Sequence, residues 1–240
     1  MQVSIIIPCY NEETILEKSV KEIEKTMDYS RFSYEIILID DKSKDRTVSI
    51  LKRLSAEDPK LNVVYHEKNV GRGGTVSEGI RMAKGDIVGF IDIDLETPAH
   101  YILPLIQSIK DGADIATASR IYKVKLREFS VLHRWIAHKA YKGIVRLTMK
   151  TPLADTETGC KFFRKEKIIP ILPQIKNNHW FWDTEIMVRS YYAGLKLTEV
   201  ETLFQRKKDV PSSLKFFRDT MDYIKNIRSF RKELKQKKLI

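Results

Sequence analysis

Asp92 and Asp94 stand two residues apart directly after the apolar run Ile87-Val-Gly-Phe-Ile91. In an extended segment two such side chains point the same way, with their α-carbons about 6 to 7 Å apart. Paired carboxylates repel unless a cation sits between them. Hard oxygen donors suit Mg²⁺ or Mn²⁺, which keep open positions for diphosphate oxygens. Glu96, two residues on, is a third candidate ligand. An Asp-x-Asp is common by chance, so its weight depends on where the chain places it. Two further groups carry chemistry. Asp40-Asp41 either cap the next helix or bind a base or ribose. Asn69-Val-Gly-Arg-Gly-Gly74 is either a flexible turn or, through Arg72, a phosphate contact at a helix start. It lacks the Lys-Ser/Thr of a P-loop and the full dinucleotide-binding glycine pattern.

The elements that position these residues alternate through the first half. Strands are predicted at 3–8, 34–39, 61–65, 87–91 and 114–118, with amphipathic helices from residues 12, 45, 74 and 98. Such an order calls for an α/β fold with a mostly parallel sheet flanked by helices. Ligands in such sheets bind outside the carboxyl ends of the strands. Pro8-Cys-Tyr-Asn-Glu12, Asp40-Asp41 and Asp92-Ile-Asp94 all fall there. The second half reads as a long amphipathic helix over 128–149, a polar loop over 155–164, a helix over 182–193, a strand over 197–203 and a basic helix from 213. Asp155 and Lys161 either form a loop ion pair or belong to a functional motif. The domain division expected is a catalytic unit over 1–211, with a nucleotide-binding half (1–118) and an acceptor half (119–211), then a basic amphipathic helix over 212–240.

Charge is uneven along the chain. Residues 1–114 carry 15 Lys and Arg against 20 Asp and Glu, whereas residues 115–240 carry 28 against 12. A basic half points to a polyanionic partner or to a solvated face. Nucleic acid is disfavoured, because no reading motif is present and the acidic strand ends would repel phosphates. No stretch approaches about 18 uninterrupted apolar residues, so no membrane span is predicted. The first residues read as a strand, not as a signal peptide. Two distant cysteines fit small buried thiols in a cytosolic protein.

Taken together, Ile7-Pro-Cys-Tyr-Asn-Glu-Glu13, Asp40-Asp-Lys-Ser-Lys-Asp-Arg-Thr47, Asn69-Val-Gly-Arg-Gly-Gly74 and Asp92-Ile-Asp-Leu-Glu-Thr-Pro98 resemble, in order and spacing, the family 2 glycosyltransferases of GT-A fold. Ser119-Arg120, Asp155-Thr-Glu-Thr-Gly-Cys-Lys-Phe-Phe-Arg164 and Trp182-Asp-Thr-Glu185 are similar to the polyprenyl-phosphate group, which includes the dolichyl-phosphate mannose and glucose synthases. The resemblance spans roughly residues 3 to 215.

The resemblance implies a nucleotide-sugar donor, a polyprenyl or dolichyl phosphate acceptor and Mg²⁺ or Mn²⁺. Pro8, Tyr10, Glu12 and Asp41 match nucleoside-holding positions, and Asp92, Asp94 and Glu96 match the metal and diphosphate site. Arg120 and Arg134 match positions suited to the acceptor phosphate, and Arg206 or Lys207 a further phosphate contact. Transfer would be inverting. An enzyme with a hydroxyl acceptor needs a base, for which Asp183 or Glu185 is the candidate; otherwise Asp183 orients its neighbours. The chain departs from the pattern at Cys9, where a small residue is usual, and at Glu96, where some relatives carry Gln.

A lipid acceptor requires a membrane surface. The apolar stripe Phe217, Met221, Ile224, Ile227, Phe230 and Leu234 is flanked by Lys215, Arg218, Lys225, Arg228, Arg231, Lys232 and Lys235, as in interfacial helices. Phe129, Leu132, Trp135, Ile136, Ala140, Ile144 and Leu147 form a second stripe. Both stripes either meet an anionic surface, giving a peripheral protein on the cytoplasmic membrane face, or pack on the core or on a second subunit.

Overall fold

The structure, a computed structural model, describes residues 1–122, 129–205 and 216–240, with the side chains of 129–138 and 216–220 excepted. Seven strands form one sheet: β1 (Val3–Cys9), β2 (Tyr34–Asp40), β3 (Leu61–Tyr65), β4 (Ile87–Ile91), β5 (Ile115–Ile121), β6 (Cys160–Arg164) and β7 (Leu197–Leu203), in the order β3-β2-β1-β4-β6-β5-β7. β1 to β4 pair in parallel, as do β5 and β7, while β6 runs antiparallel to both β4 and β5. All of β2 is buried, as parallel strands covered on both faces require.

Alternation along β1 sends Val3, Ile5 and Ile7 to one apolar cluster and Ile6 to the other. The first cluster takes helices α1 (Leu16–Asp28), α2 (Thr47–Glu57) and α4 (Ile102–Lys110). The second takes α3 (Arg72–Met82), α5 (Phe129–Met149), the single turn α6 (Lys165–Ile168), α7 (Trp182–Tyr192) and α8 (Phe216–Gln236). The chain passes from β1 to β2 through α1 on one face and returns from β3 to β4 through α3 on the other, so β2 and β4 flank β1 on opposite sides. That is a topological switch point, where a crevice opens at the strand ends.

The structure alters several sequence expectations. The stretch 155–164 is not only a loop, since its second half is the central strand β6. Lys161 on that strand interrupts the apolar pattern and hides it from a periodicity search. Asp155 and Lys161 do not pair with each other, because each is held by a different partner (below). The C-terminal stripe is also divided. Ile227, Phe230 and Leu234 are buried in the second cluster, whereas Met221 and Ile224 are exposed. On α5, Val145 and Met149 are buried while Ala140, Ile144 and Leu147 are exposed. The predicted α8 stripe is therefore partly a core face. Phe217, Lys215 and Arg218, together with Phe129, Leu132, Trp135 and Ile136, lie outside the described side chains. No described helix is long and apolar enough to cross a membrane.

Candidate active site

At the end of β1 the chain turns through Asn11, whose φ of 58° lies in the left-handed region tolerated by Asn. Hydrogen bonds then lace this loop to the one after β2. Asn11 N donates to Ser43 Oγ (2.9 Å), Glu12 N to Thr47 Oγ1 (2.8 Å) and Glu13 N to Asp45 Oδ2 (3.1 Å). Asp45 also accepts from Thr47 N (2.9 Å), so it ties the start of α2 as a capping residue does. Pro8 lies within β1, and Tyr10 is 42% exposed at the mouth of the crevice.

Asp41 is buried and fully engaged. Its carboxylate accepts from Val70 N (2.7 Å) and Gly71 N (2.9 Å) and pairs with His66 Nδ1 (2.8 Å). It clamps the loop leading into α3. Gly71 has φ 89°, which that turn requires. α3 therefore begins at Arg72, two residues earlier than the helical pattern suggests, and its first turn points Arg72 into the crevice.

β4 ends at Ile91, so Asp92 and Asp94 are not on an extended strand. They occupy a turn closed by Leu95 N donating to Asp92 O (3.1 Å), with Leu95 at φ 50° and Glu96 N donating to Asp94 Oδ1 (3.1 Å). A left-handed leucine is an unfavourable conformation of the kind retained at functional sites. Asp92 N donates to Gly159 O (2.8 Å), and a Cβ at Gly159 would stand 2.0 Å from Asp92 Oδ2. β6 thus carries the 155–164 motif up against the Asp-x-Asp.

Charge in the crevice is concentrated. Burial, with the charges of Asp94, Asp92 and Asp45, pushes the Glu12 carboxyl up to about 8. Burial also raises Asp92 to about 6, against the pull of Arg72 and with the push of Asp94. Carboxylates that hold protons at these pH values sit where a cation would be favoured. Among the described residues no three His, Cys, Asp or Glu side chains form a ready-made metal cage. Two aspartates fit Mg²⁺ or Mn²⁺ if diphosphate oxygens complete the shell. Glu96 acts electrostatically on Tyr122, while the carboxylates acting on Glu12 are Asp94, Asp92 and Asp45.

Arg72 and Asp183 join this site to the second half. Arg72 Nε donates to Asp92 Oδ1 (2.7 Å) and Nη1 to Asp183 Oδ2 (2.6 Å), with the guanidinium stacked over Phe90 and Trp180. As placed, Arg72 neutralises carboxylates, not a phosphate. The other Asp183 oxygen, Oδ1, accepts from Lys161 Nζ (2.7 Å), which also donates to Thr158 O (2.5 Å). Lys161 is fully buried, and burial lowers its pKa. Asp183 therefore has a cation on each carboxylate oxygen. Glu185 is equally committed, accepting from Lys176 N, Asn177 N and Arg189.

Arg120, at the end of β5, faces Asp155. Its Nε and Nη2 donate to the two carboxylate oxygens at 2.7 and 2.9 Å, and Glu157 Oε2 stands 3.8 Å from Nη2. Arg134 and Arg206, like Lys207, lie outside the described residues or side chains. The sequence reading missed Lys161 as the partner of Asp183, Glu157 beside Arg120, and Trp180 over Arg72. Lys161 and Glu157 lie inside a motif already singled out; nothing local marks Trp180.

Comparison with known proteins agrees with this architecture. Glycosyltransferase AglD of Haloferax volcanii is 31% identical over 89% of this chain and 35% of its own length. Dolichol-phosphate mannosyltransferase of Pyrococcus furiosus is 31% identical over 95% of this chain and 63% of its own length. The chain thus spans a third to under two thirds of these relatives. The mannosyltransferase PcManGT of Pyrobaculum calidifontis, solved with GDP-Man and Mn²⁺, superposes with a TM-score of 0.60 at 18% identity, covering 87% of this chain and 58% of that one. The sheet and its helices are a GT-A-like fold. Residues 4–172 match the family described as Glycosyl transferase family 2, and the chain belongs to that family.

Proposed function

We propose that this chain transfers a hexose from a nucleotide-sugar to a polyprenyl phosphate such as dolichyl phosphate, with inversion and with Mg²⁺ or Mn²⁺. The observation that carries the reading is the convergence of Glu12 and Asp92, whose carboxyl pKa values are raised, with the charge of Asp94 at the sheet's switch point, which supports a place for a cation and its diphosphate. The names of relatives support the acceptor class: a dolichol-phosphate mannosyltransferase, a dolichyl-phosphate beta-glucosyltransferase of Dictyostelium discoideum and a bactoprenol glucosyl transferase of Shigella phage SfV.

In this reading Pro8, Tyr10, Glu12 and Asp41 frame the nucleoside, Asp41 by fixing the loop that carries Arg72. Asp92 and Asp94 hold the metal with Glu96 beside them, and the bound ion supplies charge neutralisation for the leaving diphosphate. Arg120, Arg134 and Arg206 position the acceptor phosphate. A phosphate oxygen attacks the anomeric carbon as the bond to the nucleoside diphosphate breaks, so an α-linked donor yields a β-linked lipid phosphate. A phosphate monoester is already ionised near neutral pH, so placement matters more than a base. The committed state of Asp183 fits such an acceptor better than a hydroxyl. Glu-Thr-Pro98 and the Asp155 motif favour UDP-glucose over GDP-mannose as donor.

The same reading places the chain peripherally on the cytoplasmic face of a membrane. α5 and α8 expose Ile144, Leu147, Met221 and Ile224 among Lys225, Arg228 and Arg146, a composition suited to an anionic bilayer surface. The test is incubation with a panel of nucleotide-sugars, Mn²⁺ or Mg²⁺ and a polyprenyl monophosphate. A labelled lipid phosphate is expected, and labelled product only with soluble hydroxyl acceptors would overturn the acceptor assignment.

A further inference from the structure

The Gly71-Arg72-Gly73-Gly74 turn at the start of α3 is covered by a second piece of chain, residues 177–182, which leads into α7. Gly74 N donates to Asn178 O (3.0 Å), and Trp182 Nε1 donates to Ser77 Oγ (2.7 Å). A Cβ at Gly71 would stand 2.5 Å from Asn178 O, and one at Gly73 would stand 2.3 Å from Trp182 Cβ. Both positions require glycine, because only a residue without a Cβ allows so close an approach. Val70 N and Gly71 N are already taken by Asp41, so three amides of this turn are engaged by protein groups.

This seat fixes what the covering segment presents. Glu185 holds Lys176 N and Asn177 N at one end (3.0 and 2.9 Å), and Trp182 is fully buried at the other. Between them Trp180 lays its ring over the Arg72 guanidinium (5.5 Å), which also meets the Phe90 ring (5.0 Å). Phe90 is fully buried, whereas Trp180 is half-buried and is the ring that borders solvent. Arg72 spans two carboxylates, with Nε on Asp92 Oδ1 and Nη1 on Asp183 Oδ2. Among the described residues, Oδ1 is the Asp92 oxygen that receives a hydrogen bond, which leaves Oδ2 to a cation. A guanidinium free to turn would take both oxygens of one carboxylate as a bidentate fork, the arrangement such a pair favours. On Asp92 that fork would occupy the oxygen a cation needs.

We propose that Trp180 is a positioning residue for the metal site: stacked on Arg72 from its glycine seat, it confines the guanidinium to Asp92 Oδ1 and keeps Oδ2 available to Mg²⁺ or Mn²⁺. The inference rests on the reading of Asp92 as a metal ligand. It also gives the Gly-Arg-Gly-Gly motif a part other than phosphate binding, since the motif receives the segment that carries Trp180.

The experiment titrates Mn²⁺ by calorimetry into the full chain with UDP or GDP present, and records a thermal melt of each variant. In Trp180→Ala the Mn²⁺ affinity should fall about fivefold, the size of one partly shielded cation–π contact. Trp180→Phe, which keeps a flat ring on Arg72, should stay within about twofold of wild type. In an Arg72→Met background Trp180→Ala should change the affinity by less than about twofold, because no guanidinium is left to compete. A merely structural Trp180 would lower the melting temperature and weaken Mn²⁺ binding equally with and without Arg72. Unchanged affinity in Trp180→Ala, an equal loss in Trp180→Phe, or a loss that persists in the Arg72→Met background each overturns the inference while leaving the metal reading in place. Should Trp180→Ala fail to fold, Trp180→Leu decides: it keeps apolar bulk without a ring, a fivefold loss is expected, and unchanged affinity overturns the proposal. If wild type binds no Mn²⁺ with either nucleotide, the metal reading itself falls, and this inference with it.

Discussion

Arg72 donates to Asp92 at 2.7 Å, so an internal guanidinium holds one member of the Asp-x-Asp pair. Its other arm reaches Asp183 at 2.6 Å, and Lys161 closes the chain from the far side. The crevice at the strand ends and the buried 155–164 motif are thus one electrostatic unit. Perturbing either end should be felt at the other.

Asp94→Asn removes a carboxylate that raises both Glu12 and Asp92. Metal-dependent transfer should fall about a hundredfold or more, by loss of charge stabilisation at the leaving group. Thermal stability should be unchanged or slightly higher, because like-charge repulsion is relieved. Steady-state rates and a melting curve check both, and near-normal metal-dependent turnover would remove Asp94 from the site.

The pH dependence of metal binding follows from the same carboxyls. Glu12 and Asp92 have folded pKa values above their unfolded ones, at about 8 and about 6. The stability they confer is complete at low pH, below the unfolded values, and is lost as pH rises through the folded values. A divalent ion competes with the bound protons. The Tm gain from Mn²⁺ should therefore be larger at about pH 8.5 than at about pH 6. Equal gains at both pH values would speak against a metal among these carboxylates.

Lys161→Met should destabilise the fold by about 3 kcal/mol, since it leaves the buried Asp183 with Arg72 as its remaining cation of the two. Pairing it with Asp183→Leu should cost less than the two single changes combined, as coupled buried charges do. Urea denaturation of the four proteins measures this, and strict additivity would contradict the network.

Gly159→Ala would place a Cβ 2.0 Å from Asp92 Oδ2. That Cβ would also stand 2.5 Å from Asp92 Cγ, so the side chain must swing off Arg72 and the variant should fold with reduced stability. Its affinity for Mn²⁺, followed by calorimetry with the nucleotide present, should drop about tenfold or more as the ligand geometry is lost. Unaltered affinity would mean that Asp92 Oδ2 is not used.

Leu147→Glu and Met221→Glu replace side chains that are 81% and 66% exposed. Each should leave Tm within about 2 °C of wild type. Co-sedimentation with vesicles containing phosphatidylserine should fall several-fold if these residues enter the bilayer boundary. Undiminished binding would assign the exposed apolar residues to another role.

Much of this protein is legible in its sequence. The apolar runs at β1, β2 and β4 and the helices between them follow from local periodicity, and with them the rule that chemistry gathers at strand ends. Asp92, Asp94, Glu12 and Arg72 are found by that rule together with motif order. Tertiary structure alone decided the pairings. Lys161 looks like a partner for Asp155 in a loop, yet β6 inserts antiparallel between β4 and β5 and turns it toward Asp183, 22 residues on. The C-terminal stripe reads as one surface, but packing against α5 and α7 buries Ile227, Phe230 and Leu234 and leaves Met221 and Ile224 outside. Periodicity reports which side of an element is apolar and says nothing about what covers it. Likewise, a charged residue's type reports its charge, while its partner depends on where distant segments of the chain come to lie.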